Sequence, residues 1–170
     1  VVGATFTPEA MAENARLAFV TSEGNVLTFP AASVRVQGAG ASGMAGISMP
    51  SEARAVFFGA VAGASDGGNQ AMVVTLAGSS SALPGTELGS VKISPLSAFP
   101  DKGRATKGVR CHKLRASEDE IALAWVGPGP VRGATAAGKP VTLPAPTDKR
   151  DATGTPPSAP VAAFGGTIGS

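Results

Sequence analysis

"GSVKISPLSAFPDKGRATKGVRCHKL", residues 89–114, restates an earlier stretch of the same chain, "GNVLTFPAASVRVQGAGASGMAGISM", residues 24–49. Laid over each other without gaps, Gly24, Val26, Pro30, Gly38 and Gly43 meet Gly89, Val91, Pro95, Gly103 and Gly108. The register runs on to Val61 and Val126 through the apolar runs "AVFFGAV" and "IALAWV". The glycines and the proline carry the match, because those residues fix turns. An apolar strand precedes each unit. "LAFVTSEGN" leads into the first, with Ser22-Glu23-Gly24 as the turn, and "AMVVTLAG" leads into the second. "SSSALPGTEL" then intervenes, an insertion of about 11 residues in a hairpin loop, where insertion is tolerated. A weaker third unit opens with "VRGATAAGKPVTLP". Thr135 to Gly138 is spaced as Thr21 to Gly24, and Pro144 follows Gly138 as Pro30 follows Gly24. Its second half, "KRDATGTPPSAPVAAFG", is similar to "KGRATKGVRCHKL".

Each unit reads as strand, hairpin, strand, a Pro-led connection, a Gly-flanked loop, strand and a final apolar strand. Four short strands in roughly 50 residues is the pattern of a propeller blade. The expected fold is all-β: a single domain over 1–170, with blades near 16–61, 71–126 and 131–164 and a tail at 165–170. Three blades make too tight a ring, so the propeller is expected to be open or incomplete. "TPEAMAENARL" is the one helix-like stretch, with Thr7 as N-cap, Pro8 at the first helical position and Glu9 in the first turn. Residues 63–70 read as a loop.

Composition limits what such a domain does. The 170 residues include Gly 23 and Pro 14, which favours turns over long helices. The chain starts at Val1 without Met, as a processed or excised piece would. No apolar run has the length of a membrane span, so no membrane partner is expected. Cys111 is the only cysteine, which rules out an internal disulfide and fits a reducing compartment. Net charge is +2 with pI near 9.0, yet residues 92–115 hold seven of the 14 basic residues. A polyanion responds to such a cluster more than to net charge, because charges are screened beyond about 8 Å in the cell.

The two strong units resemble blades of the C-terminal domain of the DNA gyrase and topoisomerase IV A subunit. Blades of that family run from an apolar strand through "T-x-x-G-x-V" and "G-R-x-x-K-G-V" to "L-x-x-x-D-x-I/L" and a last apolar strand. Gly89, Val91, Lys92, Phe99, Gly103, Arg104, Thr106, Lys107, Gly108, Val109, Leu114, Asp119 and Ile121 fit it. Residues 16–61 keep the framework but put Ala39 and Ser42 where the basic positions fall, and residues 131–164 fit in part. The resemblance implies a β-pinwheel, a propeller whose blades exchange an outer strand, with duplex DNA bent around a basic rim. It implies a piece of a cytoplasmic, nucleoid-associated, ATP-dependent type IIA topoisomerase. Its partners would be double-stranded DNA, the rest of the A subunit and the B subunit, with no cofactor in this chain. The heptapeptide "Q-R-R-G-G-K-G" that marks gyrase proper is absent, and "KGRATKG" is the nearest stretch. That absence leans towards topoisomerase IV or a diverged, Gly/Ala-rich relative, and beyond it the sequence does not separate gyrase from topoisomerase IV.

Phosphate contact asks for long cations on outer loops, with glycines that let the backbone approach. The expected set is Lys92, Lys102, Arg104, Lys107, Arg110 and Lys113, joined by Arg132, Lys139, Lys149 and Arg150 from the third unit. No aromatic is interleaved, which favours duplex backbone over stacked single strands. The competing reading of such a cluster is a solvated charged face, and the competing function is a propeller that binds protein without DNA. Other motifs lead nowhere catalytic. Gly38-Ala39-Gly40-Ala41-Ser42-Gly43 spells G-x-G-x-x-G, but Pro50 follows too soon for a crossover helix. Cys111 and His112 are neighbours on a strand and point to opposite faces, and one Cys with one His makes no ligand set. "SEDE" at 117–120 reads as an acidic turn, and Trp125 as core. The chain contains no Tyr, the nucleophile with which type IIA topoisomerases cut DNA, so this chain supplies no cleavage chemistry.

Overall fold

A computed structural model describes residues 3–7, 13–61, 70–82 and 86–166. Ten strands follow in chain order: β1 Arg16–Thr21, β2 Asn25–Pro30, β3 Ala55–Val61, β4 Ala71–Gly78, β5 Ser90–Pro95, β6 Val109–Arg110, β7 Glu120–Pro128, β8 Arg132–Ala134, β9 Pro140–Val141 and β10 Ala163–Gly165. They form three antiparallel sheets with orders β3-β1-β2-β6, β5-β4-β7 and β10-β8-β9. The expected helix at Thr7–Leu17 falls in part, at residues 8–12, outside those described, and the loop at 63–70 lies almost wholly outside them. Residues 15–17 of the helix-like stretch are in fact buried Ala15 and the start of β1.

Glycine sets the hairpins. Gly24 and Gly138 take φ of +78° and +75°, and each donates its N–H to the Thr three residues back, Thr21 O at 3.0 Å and Thr135 O at 2.9 Å. The hydroxyls of Thr21 and Thr135 also accept from the N–H of Asn25 and Lys139. First and third units therefore share one turn, as the Thr-to-Gly spacing predicts.

A unit contributes three strands to its own sheet, and the fourth comes from the next unit. β6 leaves the second unit and pairs with β2, matching Val26 to Val109. Thr155 leaves the third unit and bridges Val91, the second unit's counterpart of Val26. The second sheet is thus buried on both faces, and β4 reads as the near-continuous apolar run "AMVVTLAG" for that reason. Val73, Ala77, Ile121, Ala124 and Val126 pack toward the first sheet, against Ala18, Val20, Val26 and Val61. Met72, Val74, Leu76, Val91 and Ile93 pack toward the third, with Val141 and Val161. Trp125 is half-buried on that second layer.

The ungapped overlay slips in the last strand. Val20 pairs with Phe57 and Leu76 with Leu123, so β3 and β7 correspond at a spacing one residue longer than Val26 and Val91 do. Val61 and Val126 consequently enter the same core layer from opposite sheets rather than from equivalent faces. A one-residue shift exchanges the two faces of a strand.

Gly108 is what lets β6 reach its neighbour. Its φ is +72°, and a Cβ there would stand 2.2 Å from Val26 O. Gly43, its counterpart, has φ +81° with nothing within 4 Å. Gly43→Ala therefore costs only left-handed strain, about 1 kcal/mol, whereas Gly108→Ala adds a backbone collision and costs more than about 2 kcal/mol. Urea unfolding of the two variants measures the difference, and equal losses would contradict the close approach.

Candidate nucleic-acid interface

The densest run of cations lies on the connection from β5 to β6, and that connection is held by the first unit. Ala105 N–H donates to Gly46 O at 2.6 Å and Ser48 N–H to Thr106 O at 3.0 Å. Thr106 Oγ1 closes the turn on Gly103 O at 2.8 Å. Ala105 takes φ +63°, a conformation uncommon for a residue with a Cβ, and the bonds on either side keep it there. Arg104 is half-buried and spends one donor on Ala45 O at 2.9 Å. Lys102, Lys107 and Arg110 are exposed.

Acidic groups near this loop are largely engaged. Asp101, just before it, forms an ion pair with Arg16 and accepts from Thr28 Oγ1 at 3.1 Å. Asp119 accepts from the backbone and hydroxyl of Ser80, which hold its carboxyl below the usual range. Glu120 pairs with Arg54, and Glu118 accepts from Ser90 Oγ and the Arg115 N–H. The acidic turn at 117–120 is therefore a structural brace. Carboxylates do share one hollow with the cations: Glu23, Asp119 and Asp151 line it together with Lys107 and Arg110.

The third unit repeats the arrangement at the next junction. Lys113 N–H donates to Ala152 O at 3.1 Å, in the geometry of Ser48 on Thr106. This ties the segment carrying Lys113 and Arg115 to the loop carrying Lys149 and Arg150, all four exposed. Arg115, outside the expected set, donates to Gly154 O and belongs to the same junction. Its signal in the sequence is its place at the end of the basic run. Two of the expected residues lie on other elements. Exposed Lys139 follows the hairpin turn before β9, and exposed Arg132 sits on β8 beside an apolar cleft lined by Met72, Ile93, Pro130 and Leu143.

Lys92 is a correction. It is 2 % exposed, and its ammonium donates to Ser94 Oγ at 2.8 Å, Cys111 O at 2.7 Å and Arg150 O at 3.1 Å. All three N–H groups are used inside the fold, so none is displayed to a phosphate. Burial pushes its pKa down. It stands where the first unit has buried Leu27, and its charge pins the third unit's loop to the second sheet.

His112 lies at the same junction, 1 % exposed. Gly154 N–H donates to Nε2 at 3.0 Å, so that nitrogen carries no proton, and Nδ1–H donates to Thr75 Oγ1 at 2.8 Å. Burial lowers its pKa to about 4. Cys111 is buried in the first core layer, and burial raises its thiol to about 12. The two side chains serve different neighbours, and among the described residues no group of three His, Cys, Asp or Glu is arranged to hold a metal ion.

Comparison with known proteins agrees with this geometry. A family model described as the DNA gyrase C-terminal domain, β-propeller, matches residues 15–61 and 85–123, half of the chain. Among solved structures, the C-terminal domain of DNA topoisomerase IV superposes with a TM-score of 0.65 at 18% identity, over 89% of this chain and 46% of that one. The DNA gyrase A C-terminal domain gives 0.53 at 16% identity, over 88% and 46%. At these identities the likeness is one of fold, and the chain spans about half the length of either structure. No curated protein matches it in sequence.

Proposed function

The chain belongs to the DNA gyrase C-terminal domain family of β-propellers, and on that premise we propose that it binds and bends duplex DNA along the outer edge of its second and third blades. The contacts are to phosphates, from Lys102, Arg104, Lys107, Arg110, Lys113, Lys149 and Arg150, with Arg132 and Lys139 as outlying cations. The parent is a type IIA topoisomerase, and the domain presents a DNA segment to catalytic groups elsewhere in the A subunit, working with the B subunit at the nucleoid.

One observation carries the reading. A glycine-flanked loop with three cations is exposed at a strand-exchange junction, and a second cation-bearing loop follows at the next junction. Neither loop presents a helix or an aromatic, so the groups on offer suit phosphates better than base edges. The first unit's counterpart loop, Gly38–Gly43, is exposed but has no cation, which confines the contact surface to one side of the domain. Retention of the chain on immobilised duplex DNA at low salt, with release as salt is raised, supports the proposal. A propeller that binds protein instead would pass through at every salt concentration.

A further inference from the structure

One hollow on the basic edge gathers charges from all three units. Glu23 comes from the first unit's hairpin turn, Lys107, Arg110 and Asp119 from the second unit, and Asp151 from the third unit's loop. Three carboxylates therefore line the same hollow as two of the cations assigned to phosphate contact. Lys107 and Arg110 are exposed, and neither forms an ion pair among the described residues. The opposite charges share the hollow without closing on each other.

Most carboxylates nearby have a structural task. Asp119 holds Ser80, Glu118 holds Ser90 and Glu120 pairs with Arg54. Glu23 has none: it is exposed and makes no side-chain hydrogen bond or ion pair among the described residues. The turn does not need an acid there, because its counterpart before Gly89 is Leu88 and both turn glycines take positive φ. Asp151 is a departure of the same kind. Ser48 N–H on Thr106 O matches Lys113 N–H on Ala152 O, which sets Arg104 and Ala105 against Arg150 and Asp151. The later loop keeps the arginine and puts an anion in the place of the alanine.

A phosphate that reaches Lys107 or Arg110 also comes within range of these anions, since charges act over about 8 Å in the cell. The cations draw the duplex in, and the carboxylates subtract from the attraction at the same spot. Resting on the DNA-binding reading of this edge, we propose that Glu23 and Asp151 are affinity-limiting residues, which keep the duplex weakly held so that a bound segment is released. The opposite role, in which the carboxylates orient Lys107 and Arg110 for contact, predicts a change of opposite sign.

Anisotropy of a labelled duplex decides between them. Glu23→Gln with Asp151→Asn is expected to bind about three- to tenfold tighter than the native chain at low salt, with the gain shrinking as salt screens exposed charges. Glu13→Gln with Glu87→Gln makes the same change of net charge at exposed carboxylates outside the hollow and is expected to gain less than about twofold. Asp151 also acts on buried Lys92, against the lowering of its pKa by burial, so its replacement reaches into the fold. Glu23→Gln alone avoids that contact. It is expected to bind about twofold tighter with an unchanged urea midpoint. Binding by the Glu23→Gln variants that is unchanged or weaker, or an equal gain from the Glu13 and Glu87 pair, overturns the proposal and leaves the DNA-binding reading standing. Failure of the native chain and all variants to bind the duplex at low salt overturns both.

Discussion

Replacing Arg104 and Lys107 together by Glu lowers the affinity for duplex DNA tenfold or more. Two phosphate-reaching cations are lost and two anions put in their place, so the slope of log K against log salt becomes shallower by about 2. The matching change at Ala39 and Ser42, the same loop positions one unit earlier, has a smaller effect because that loop carries no cation to begin with. Arg104 also holds Ala45 O, so the double change removes some order along with charge. Lys107→Glu alone separates the two, since the Lys107 side chain has no hydrogen bond or ion pair among the described residues. It is expected to weaken binding several-fold with no change in the unfolding midpoint. Fluorescence anisotropy with a labelled duplex reads all three variants. Equal losses at the two loops would refute a contact surface confined to the second and third units.

The second large effect is on stability and comes from His112. The unfolded imidazole takes up a proton near pH 6.5, whereas in the fold it stays neutral down to about pH 4, chiefly because it is buried. The charges of Lys92 and Arg115 push the same way, and Glu118 pushes against them. Below pH 6.5 the unfolded chain therefore binds a proton that the folded chain refuses. The stabilisation is complete above pH 6.5 and is lost as pH falls toward 4, at up to about 1.4 kcal/mol per pH unit and about 3 kcal/mol in all. The third unit's loop is expected to loosen first, because protonated Nε2 can no longer accept from Gly154 N–H. Urea midpoints at pH 7.5, 6 and 5 follow the loss. His112→Asn lowers stability at pH 7.5 but removes most of the slope. An unchanged slope in that variant would place the titrating group elsewhere; Asp119, whose lowered pKa costs stability only in stronger acid, does not act in this range.

Turn chemistry made much of the fold legible. Gly24, Gly43, Gly89, Gly108 and Gly138 were matched in sequence as repeat positions, and all five take positive φ. Backbone geometry of that kind is local, so residue type reports it. Which sheet a strand joins is not local: β6 carries no mark of pairing with β2 rather than with its own unit. The slip between Val61 and Val126 was hidden because the extra residue lies in an irregular connection, where no pattern fixes the count. The site was legible as a cluster but not residue by residue. Lys92 sits in the basic run, yet the overlay sets it opposite Leu27, an inward position.

Salt titration of binding to two unrelated duplexes of equal length tests the central claim most directly. With four to six phosphates neutralised, log K is expected to fall with log salt at a slope of about −4 to −5, and the affinity near physiological salt to be micromolar. The two sequences should bind alike, apart from what their bendability contributes. A flat salt dependence, or a hundredfold preference for one sequence, would mean that the loops carrying Arg104, Lys107 and Arg150 are not a phosphate rim.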